Sequence, residues 1–333
     1  MTAADAYHRM LLGLSGRVPD GLIRAARTWL AAGEFAQVRR AVLGAALAAG
    51  TPVTAQDAAL LREEDPAAGA LPIAETEPPA AWVFAPAGPD LLAEFGDTVP
   101  SCLDLTEGFA GTPARDPVDE RAVAAAAGSI ALWRVWRYPE FRASWPAPAR
   151  VFLVHSQSDS AALAARLQAE LPEDIGVEVF TGAGDLADYQ RAALDRAALL
   201  WTATPRRPIR VLPVHPGQPG FTAGHPRCSE VDRAVFTAYL DRGAEVLRID
   251  EKAEDLVDPA RGRTVPMGLR TDGSLVWSEA AGYYLREYGL TPDPALQAAA
   301  RTGLPGTVDL ADVHRCLAAI YAAALSEQDE DEP

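Results

Sequence analysis

The sequence predicts an α/β or α+β body preceded by an N-terminal all-α helical subdomain. Residues 1–66 carry apolar side chains at spacings of three and four, which is typical of amphipathic helices. Residues 67–80 are rich in Pro and Gly, which favours a linker. Between about 150 and 214, short apolar runs alternate with helical patterns, and this indicates a parallel sheet covered by helices. We therefore expect a body over residues 81–325 and a disordered acidic tail over 326–333.

The helical subdomain is predicted to contain four helices, which form a small bundle or a pair of helical hairpins. The first helix ends before Gly16, and the second opens at Pro19, because proline is tolerated in the first turn of a helix. Gly33 separates the second helix from the third, and Gly50 ends the third. Thr54 is expected to cap the fourth helix.

The body is predicted to start with a short strand at 81–85 and a longer strand at 129–138. Strands of the buried type follow at 151–154, 177–180, 199–202 and 209–214, and helices cover 161–171 and 186–197. The last third is expected to contain a helix at 231–243, a strand at 244–249, and helices at 279–288 and 309–325. Asp272-Gly273 lies between two apolar runs, and this dipeptide predicts a β-hairpin.

The composition restricts the compartment and the partner. The formal net charge is −16, and the chain stays acidic without the five carboxylates of residues 327–333. This balance argues against nucleic acid and anionic membrane surfaces and favours solubility or a basic partner. Three widely spaced cysteines do not form a disulfide framework, and the first residues lack the pattern of a secretory signal. We therefore expect a cytoplasmic bacterial protein.

The chain contains one lysine, Lys252, and this excludes several reaction classes. Arginine stays protonated and cannot form a Schiff base or act as a nucleophile. The sequence also has no phosphate-binding loop of the Gly-x-x-x-x-Gly-Lys type. Lys252 lies in a polar stretch, so we expect it at the surface.

A polar loop provides the first candidate site. Ser156, Ser158, Asp159 and Ser160 follow a buried strand and precede a helix, and ligands bind at this position in open α/β sheets. The alternative is that these side chains only cap the helix.

The stretch from Val151 to Asp159, with its helix and the strand at Val177, resembles the opening of the Toll/interleukin-receptor type of flavodoxin-like domain. This resemblance implies a parallel sheet. In the enzymatic members of that family, a glutamate after the third strand cleaves nicotinamide dinucleotides. The matching region, residues 201–208, has no acidic residue, which argues against that activity.

Two further groups of residues are candidates for binding. Imidazole and thiolate are zinc ligands, so His215, His225 and Cys228 could form a metal site, or they could be ordinary loop residues. Aromatic and arginine side chains often dominate protein interfaces, which makes a second set of residues interface candidates. The alternative is buried core and exposed charge. These interface candidates are Trp133, Trp136, Arg206 and Arg207.

The sequence contains no visible combination of nucleophile, base and orienting group. It therefore predicts a non-catalytic protein-interaction protein, such as an adaptor, a regulatory component or an immunity-like component, without a cofactor. The alternative is a nucleotide-binding or nucleotide-processing enzyme that uses the loop after the strand at 151–154.

Overall fold

The computed structural model describes residues 2–62, 69–75, 81–106, 115–139, 146–157, 160–213, 224–304 and 306–331. The chain divides into two compact units, residues 1–203 and 204–333. The predicted α/β body with an N-terminal helical subdomain is confirmed. The boundary between the two units follows residue 203 and does not coincide with residues 67–80. The linker at 67–80 therefore stays a prediction.

The first unit begins with four helices. They are α1 (Ala3–Leu14), α2 (Asp20–Ala31), α3 (Phe35–Ala49) and α4 (Ala55–Arg62). The Thr2 side chain accepts from the backbone N–H of Asp5, which starts α1 as a capping box. The turn that follows requires glycine, since Gly16 has a φ of 73° and a Cβ there would lie 2.6 Å from the Tyr189 ring. Met10 of α1 and Val38 of α3 are fully buried in a common core.

A mixed sheet forms the rest of this unit. Its strands are β1 (Trp82–Ala85), β2 (Leu103–Asp104), β3 (Ala131–Pro139), β4 (Ala149–His155), β5 (Gly176–Phe180) and β6 (Ala198–Thr202). Four more helices accompany them: α5 (Pro89–Phe95), α6 (Pro117–Ala125), α7 (Ser160–Glu170) and α8 (Asp188–Leu194). The strand order is β2-β6-β3-β4-β5, and β1 pairs with the C-terminal part of β3.

The direction of β3 corrects one expectation. β4 pairs with β5 in parallel, but β3 lies between β4 and β6 and is antiparallel to both. A flavodoxin-like sheet would instead place its first and third strands side by side. The flavodoxin-like arrangement implied by the resemblance is therefore wrong, and the parallel segment predicted at about 150–214 is only partly present. Apolar residues on both faces mark a central strand but do not specify the direction of its neighbours.

The two faces of this sheet pack against different helices. Phe152, Val177 and Val179 share a buried cluster with Leu163 and Leu167 of α7. Side chains alternate along a strand, so the neighbours of these residues point to the other face. On that face Trp133 stacks on Phe180 at 6.1 Å, and α8 packs against β1 and β3.

The second unit combines a four-stranded sheet, a hairpin and helices. The strands are β7 (Arg210–Val211), β8 (Ala244–Leu247), β9 (Lys252–Glu254), β10 (Arg263–Pro266), β11 (Leu269–Thr271) and β12 (Leu275–Ser278). The helices are α9 (Glu230–Arg242), α10 (Glu279–Tyr288), α11 (Pro294–Thr302) and α12 (Leu310–Asp331). The sheet has the order β7-β12-β11-β8, and β9 pairs with β10.

Three sequence expectations can be compared with this unit. The hairpin at Asp272-Gly273 is confirmed by antiparallel β11 and β12, and Asp272 Oδ1 accepts the N–H of Leu275. The strand predicted at 209–214 does not extend the first sheet, because β7 pairs in parallel with β12. The tail predicted to be disordered from residue 326 instead continues α12 to Asp331. Glutamate and glutamine are good helix formers, which favours this extension.

Side chains from the N-terminal helices cover the open edge of β5. β5 is the last strand of its sheet, so alternate backbone groups have no neighbouring strand. Arg27 of α2 donates to the carbonyl oxygen of Val177, and His8 Nε2 of α1 lies 2.6 Å from the carbonyl oxygen of Val179. Burial lowers the pKa of His8 to about 4, so His8 is neutral near pH 7 and its Nε2–H donates this bond.

We expect His8 to make the stability of the first unit dependent on pH. The ordinary histidine pKa is 6.5, so below this pH His8 binds a proton in the unfolded chain. In the folded chain His8 binds this proton only below about pH 4. The unfolding free energy should therefore decrease by about 2 kcal/mol between about pH 7.5 and about pH 5 because of His8 alone. Urea unfolding followed by tryptophan fluorescence measures this, because six of the seven tryptophans lie in residues 1–203.

The matched control is His8→Gln, which keeps a donor but does not titrate. Carboxylates contribute equally to both proteins, so the difference between their pH profiles isolates His8. Identical profiles for the parent and His8→Gln would contradict the assignment.

Candidate functional site

A buried ion pair joins the helical segment of the first unit to its sheet. Arg27 Nη2 lies 2.6 Å from Glu178 Oε2, and the two side chains are 2% and 5% exposed. Ser15 Oγ and Gln190 Nε2 donate to the same oxygen at 3.0 and 2.9 Å. The pair is therefore embedded in hydrogen bonds, which offset the cost of burying two charges. It links the end of α1, α2, β5 and α8.

A second ion pair lies on the same side of the sheet. Arg137 of β3 donates to both carboxylate oxygens of Asp20, with Nη1 at 3.0 Å from Oδ1. The same Nη1 donates to the Tyr189 hydroxyl at 3.3 Å, and the guanidinium lies 4.2 Å from the ring centre of Trp82. Burial raises the pKa of Tyr189, so this hydroxyl keeps its proton.

A cavity of about 390 Å³ opens beside these two pairs. Its size is within the range of small-molecule sites in proteins. Its wall includes both ion pairs, the first turns of α2, and the amino ends of β4 and β5. The described residues that line it include neither cysteine nor histidine. The arrangement can therefore bind a polar molecule, but it offers no cysteine nucleophile and no imidazole base.

Sequence reasoning missed this cavity. The signal was a charged residue in the middle of an apolar strand, since Glu178 stands between Val177 and Val179. Arg27 gives a similar signal, because it lies on the buried face of α2. Charged side chains are almost never fully buried without a partner, so each of these residues indicates the existence of the other.

The predicted ligand loop is only partly described. Ser156 is 4% exposed, and its N–H donates to the carbonyl oxygen of Phe180 at 2.8 Å. Ser160 is buried at the start of α7. Ser158 and Asp159 lie outside the described residues. The loop is at the carboxyl end of β4, whereas the cavity is at the amino end of that strand. The two sites are therefore different.

The four interface candidates do not form one surface. Trp133 is fully buried in the sheet, so it cannot contact a partner. Trp136 points to the opposite face of β3 and is half-buried, with Arg150 at 5.0 Å from its ring centre. Arg206 and Arg207 are exposed in the second unit, in the segment that precedes β7.

The candidate metal ligands are also only partly described. His225 Nε2 lies 3.0 Å from the carbonyl oxygen of Thr291, and the Cys228 thiol is hydrogen-bonded to Thr291 as well. These two residues therefore lie near one another, while His215 is outside the described residues. Within the described ranges, no three His, Cys, Asp or Glu side chains form a group that could hold a metal ion.

An apolar stripe on α9 is exposed. Val231, Ala234, Val235 and Ala238 follow the i, i+3, i+4, i+7 spacing of one helix face, and all four are exposed. The opposite face buries Phe236, Tyr239 and Leu240. The sequence predicted the helix but not this exposure, because periodicity identifies an apolar face without showing whether another element covers it.

Comparisons with known proteins give no identification. No family model matches the chain, and no curated protein and no solved structure matches it. The structure adds one finding on membranes: among the described helices, none combines the length and the apolar character needed to span a bilayer.

We expect Arg27→Met to destabilise the first unit by about 3–5 kcal/mol, because it leaves the Glu178 carboxylate buried without its counter-charge. The double variant Arg27→Met/Glu178→Leu should cost less than the sum of the two single variants, since it removes both charges together. Urea unfolding followed by tryptophan fluorescence measures all three variants.

The control is Arg191→Met, which breaks an exposed pair with Asp188 of similar length, 2.9 Å. Exposed pairs contribute about 0–1 kcal/mol, so this variant should unfold like the parent. Equal effects of Arg27→Met and Arg191→Met would show that the buried pair is dispensable.

Proposed function

We propose that this protein is a non-catalytic protein-interaction component that binds its partner through the exposed stripe of α9. It would act in the cytoplasm as an adaptor, a regulatory component or an immunity-like component. The observation that supports this proposal is the exposure of Val231 and Val235, which are 77% and 40% accessible on one helix face. Contiguous exposed apolar side chains are typical of interaction surfaces.

The charges beside the stripe favour a basic partner. Glu230 and Asp241 are about three turns apart, so they lie along the same flank of the stripe. Asp241 forms an ion pair with Arg286 at 2.8 Å, and no ion pair of Glu230 occurs within the described residues, so the uncompensated negative charge of this flank is at Glu230. In a two-fold antiparallel pair of α9 helices, this acidic flank would face its own copy, which is unfavourable. An amphipathic helix with basic residues beside an apolar face fits better. A contact made by one helix face buries less surface than the about 800 Å² per partner that is typical of stable complexes. We therefore expect transient binding.

The nucleotide-binding alternative has less support. Ser156 is buried, and its backbone N–H is already bonded to Phe180, so this amide is not free to bind a phosphate. The sole lysine, Lys252, is exposed on β9. The interaction proposal depends on apolar packing against the α9 stripe and on the charge beside it, and it requires no cofactor.

We expect Val231→Asp/Val235→Asp to weaken partner binding at least about tenfold, because two carboxylates would replace the apolar contact. A photo-crosslinking amino acid at Ala234 captures the partner segment in lysate of the native cells, and mass spectrometry identifies it. The affinity of the corresponding synthetic peptide is then measured by fluorescence anisotropy.

Leu304→Asp is the control, because Leu304 is 51% exposed in the same unit but lies outside α9. The proposal predicts a basic crosslinked segment and full binding by this control variant. Crosslinks only to a second copy or to an acidic segment, or equal weakening by both variants, would overturn it.

A further inference from the structure

We propose that the cavity beside the Arg27–Glu178 pair binds a small organic cation with a primary ammonium or guanidinium group. This inference goes beyond the proposed function, since it concerns the first unit and a small molecule. It follows from the cavity wall, in which the terminal Nη groups of the arginines already donate to protein oxygens, whereas several carboxylate oxygens have no hydrogen-bond partner among the described residues.

The arginines of the wall are already engaged by the protein. Arg24 donates to the carbonyl oxygens of Leu171 and Pro172, each at 3.3 Å, and also to that of Gln168. Arg27 donates to Glu178, to Ser15 Oγ at 3.1 Å and to a backbone carbonyl. The Nη groups therefore point at protein oxygens, and a bound anion would have to displace them. The Nε atoms of Arg27 and Arg137 have no partner among the described residues, but they are buried and do not face the open cavity.

Acceptors of the wall remain available. Glu178 is 4% exposed and lines the cavity, and its Oε1 makes no hydrogen bond to any described residue. Glu173 and Asp174 are exposed at the rim, where neither forms an ion pair with a described residue. A ligand that satisfies this wall must bring hydrogen-bond donors.

The charges of the wall indicate a cation. Arg27 neutralises Glu178, and Arg137 neutralises Asp20. Of the remaining charged residues in the wall, Arg24 carries one positive charge, and Glu173 and Asp174 carry two negative charges. The wall therefore has one negative charge in excess. A neutral donor-rich molecule would satisfy the acceptors but not this charge.

The size and the apolar part of the wall favour an organic cation over a metal ion. Within the described residues no three His, Cys, Asp or Glu side chains form a group that could hold a metal ion. The cavity of about 390 Å³ is also much larger than a bare ion requires. Ile23, Pro146 and Ile175 line it, and these apolar surfaces can cover a short methylene chain. An alkyl chain with a cationic end fits both parts of the wall.

Agmatine and 1,4-diaminobutane are the probes, and 1,4-butanediol and succinate are the neutral and anionic controls of similar length. Isothermal titration calorimetry with the full chain should show saturable binding of one amine per chain. Butanediol should bind at least about tenfold more weakly, and succinate should show no saturation. Saturable succinate binding, or equal affinity for butanediol and the amines, would overturn the proposal.

The acidic surface could attract amines without a site, so variants of equal charge separate the two explanations. Glu173→Gln/Asp174→Asn removes the rim carboxylates and should weaken agmatine binding about three- to tenfold. Glu94→Gln/Glu170→Gln removes two exposed carboxylates outside the cavity wall and should leave binding unchanged. Equal weakening by both double variants would show diffuse surface attraction and refute the site.

Glu178→Gln tests the buried acceptor and should weaken agmatine binding at least about tenfold. Unchanged binding in a folded Glu178→Gln protein would also refute the site. If this variant does not fold, the comparison of the two surface double variants still decides the question. None of these variants touches α9, so their results are independent of the partner-binding proposal.

Discussion

The buried pair of Arg27 and Glu178 is the interaction on which the first unit depends. Each charge alone would be very costly in this environment, and each is tolerated only because the other is present. Apolar packing alone would allow the helical segment to slide along the sheet. A charged pair with directional hydrogen bonds from Ser15 and Gln190 fixes a single position. The Arg27–Glu178 pair therefore adds specificity to an attachment whose stability comes mostly from burial.

The packing of the N-terminal helices on the sheet also explains how this unit can have β5 as an edge strand without exposing it. An uncovered β5 would expose backbone groups that can pair with another chain. The side chains of Arg27 and His8 occupy two of its carbonyl oxygens and so replace a neighbouring strand. The helical segment is therefore part of the sheet's hydrogen bonding, although no backbone–backbone hydrogen bond joins β5 to a helix among the residues that the structure describes. The cavity lies at one end of this junction, between the first turns of α2 and the amino end of β5.

Local features were predictable from the sequence, whereas features that depend on distant partners were not. Gly16, Gly33 and Gly50 marked the helix boundaries correctly because each has a positive φ that favours glycine. The hairpin at Asp272 was predictable for a similar local reason. The insertion of β3 between β4 and β6 was not, since apolar periodicity contains no information on strand direction. The exposure of α9 and the pairing of Arg27 with Glu178 could not be predicted either, because both depend on which distant residues pack against them.

The distance along the chain between these partners has a consequence for biosynthesis. His8 and Val179 are 171 positions apart, and Arg27 and Glu178 are 151 positions apart. At about 5–20 residues per second, a ribosome needs about eight to thirty seconds to make β5 after it has made α2. During this interval the helices are out of the ribosome without the strand that they cover, and Arg27 and His8 lack their partners in β5. The N-terminal segment therefore has to keep an unpaired Arg27 solvated until the strand that carries Glu178 has been made.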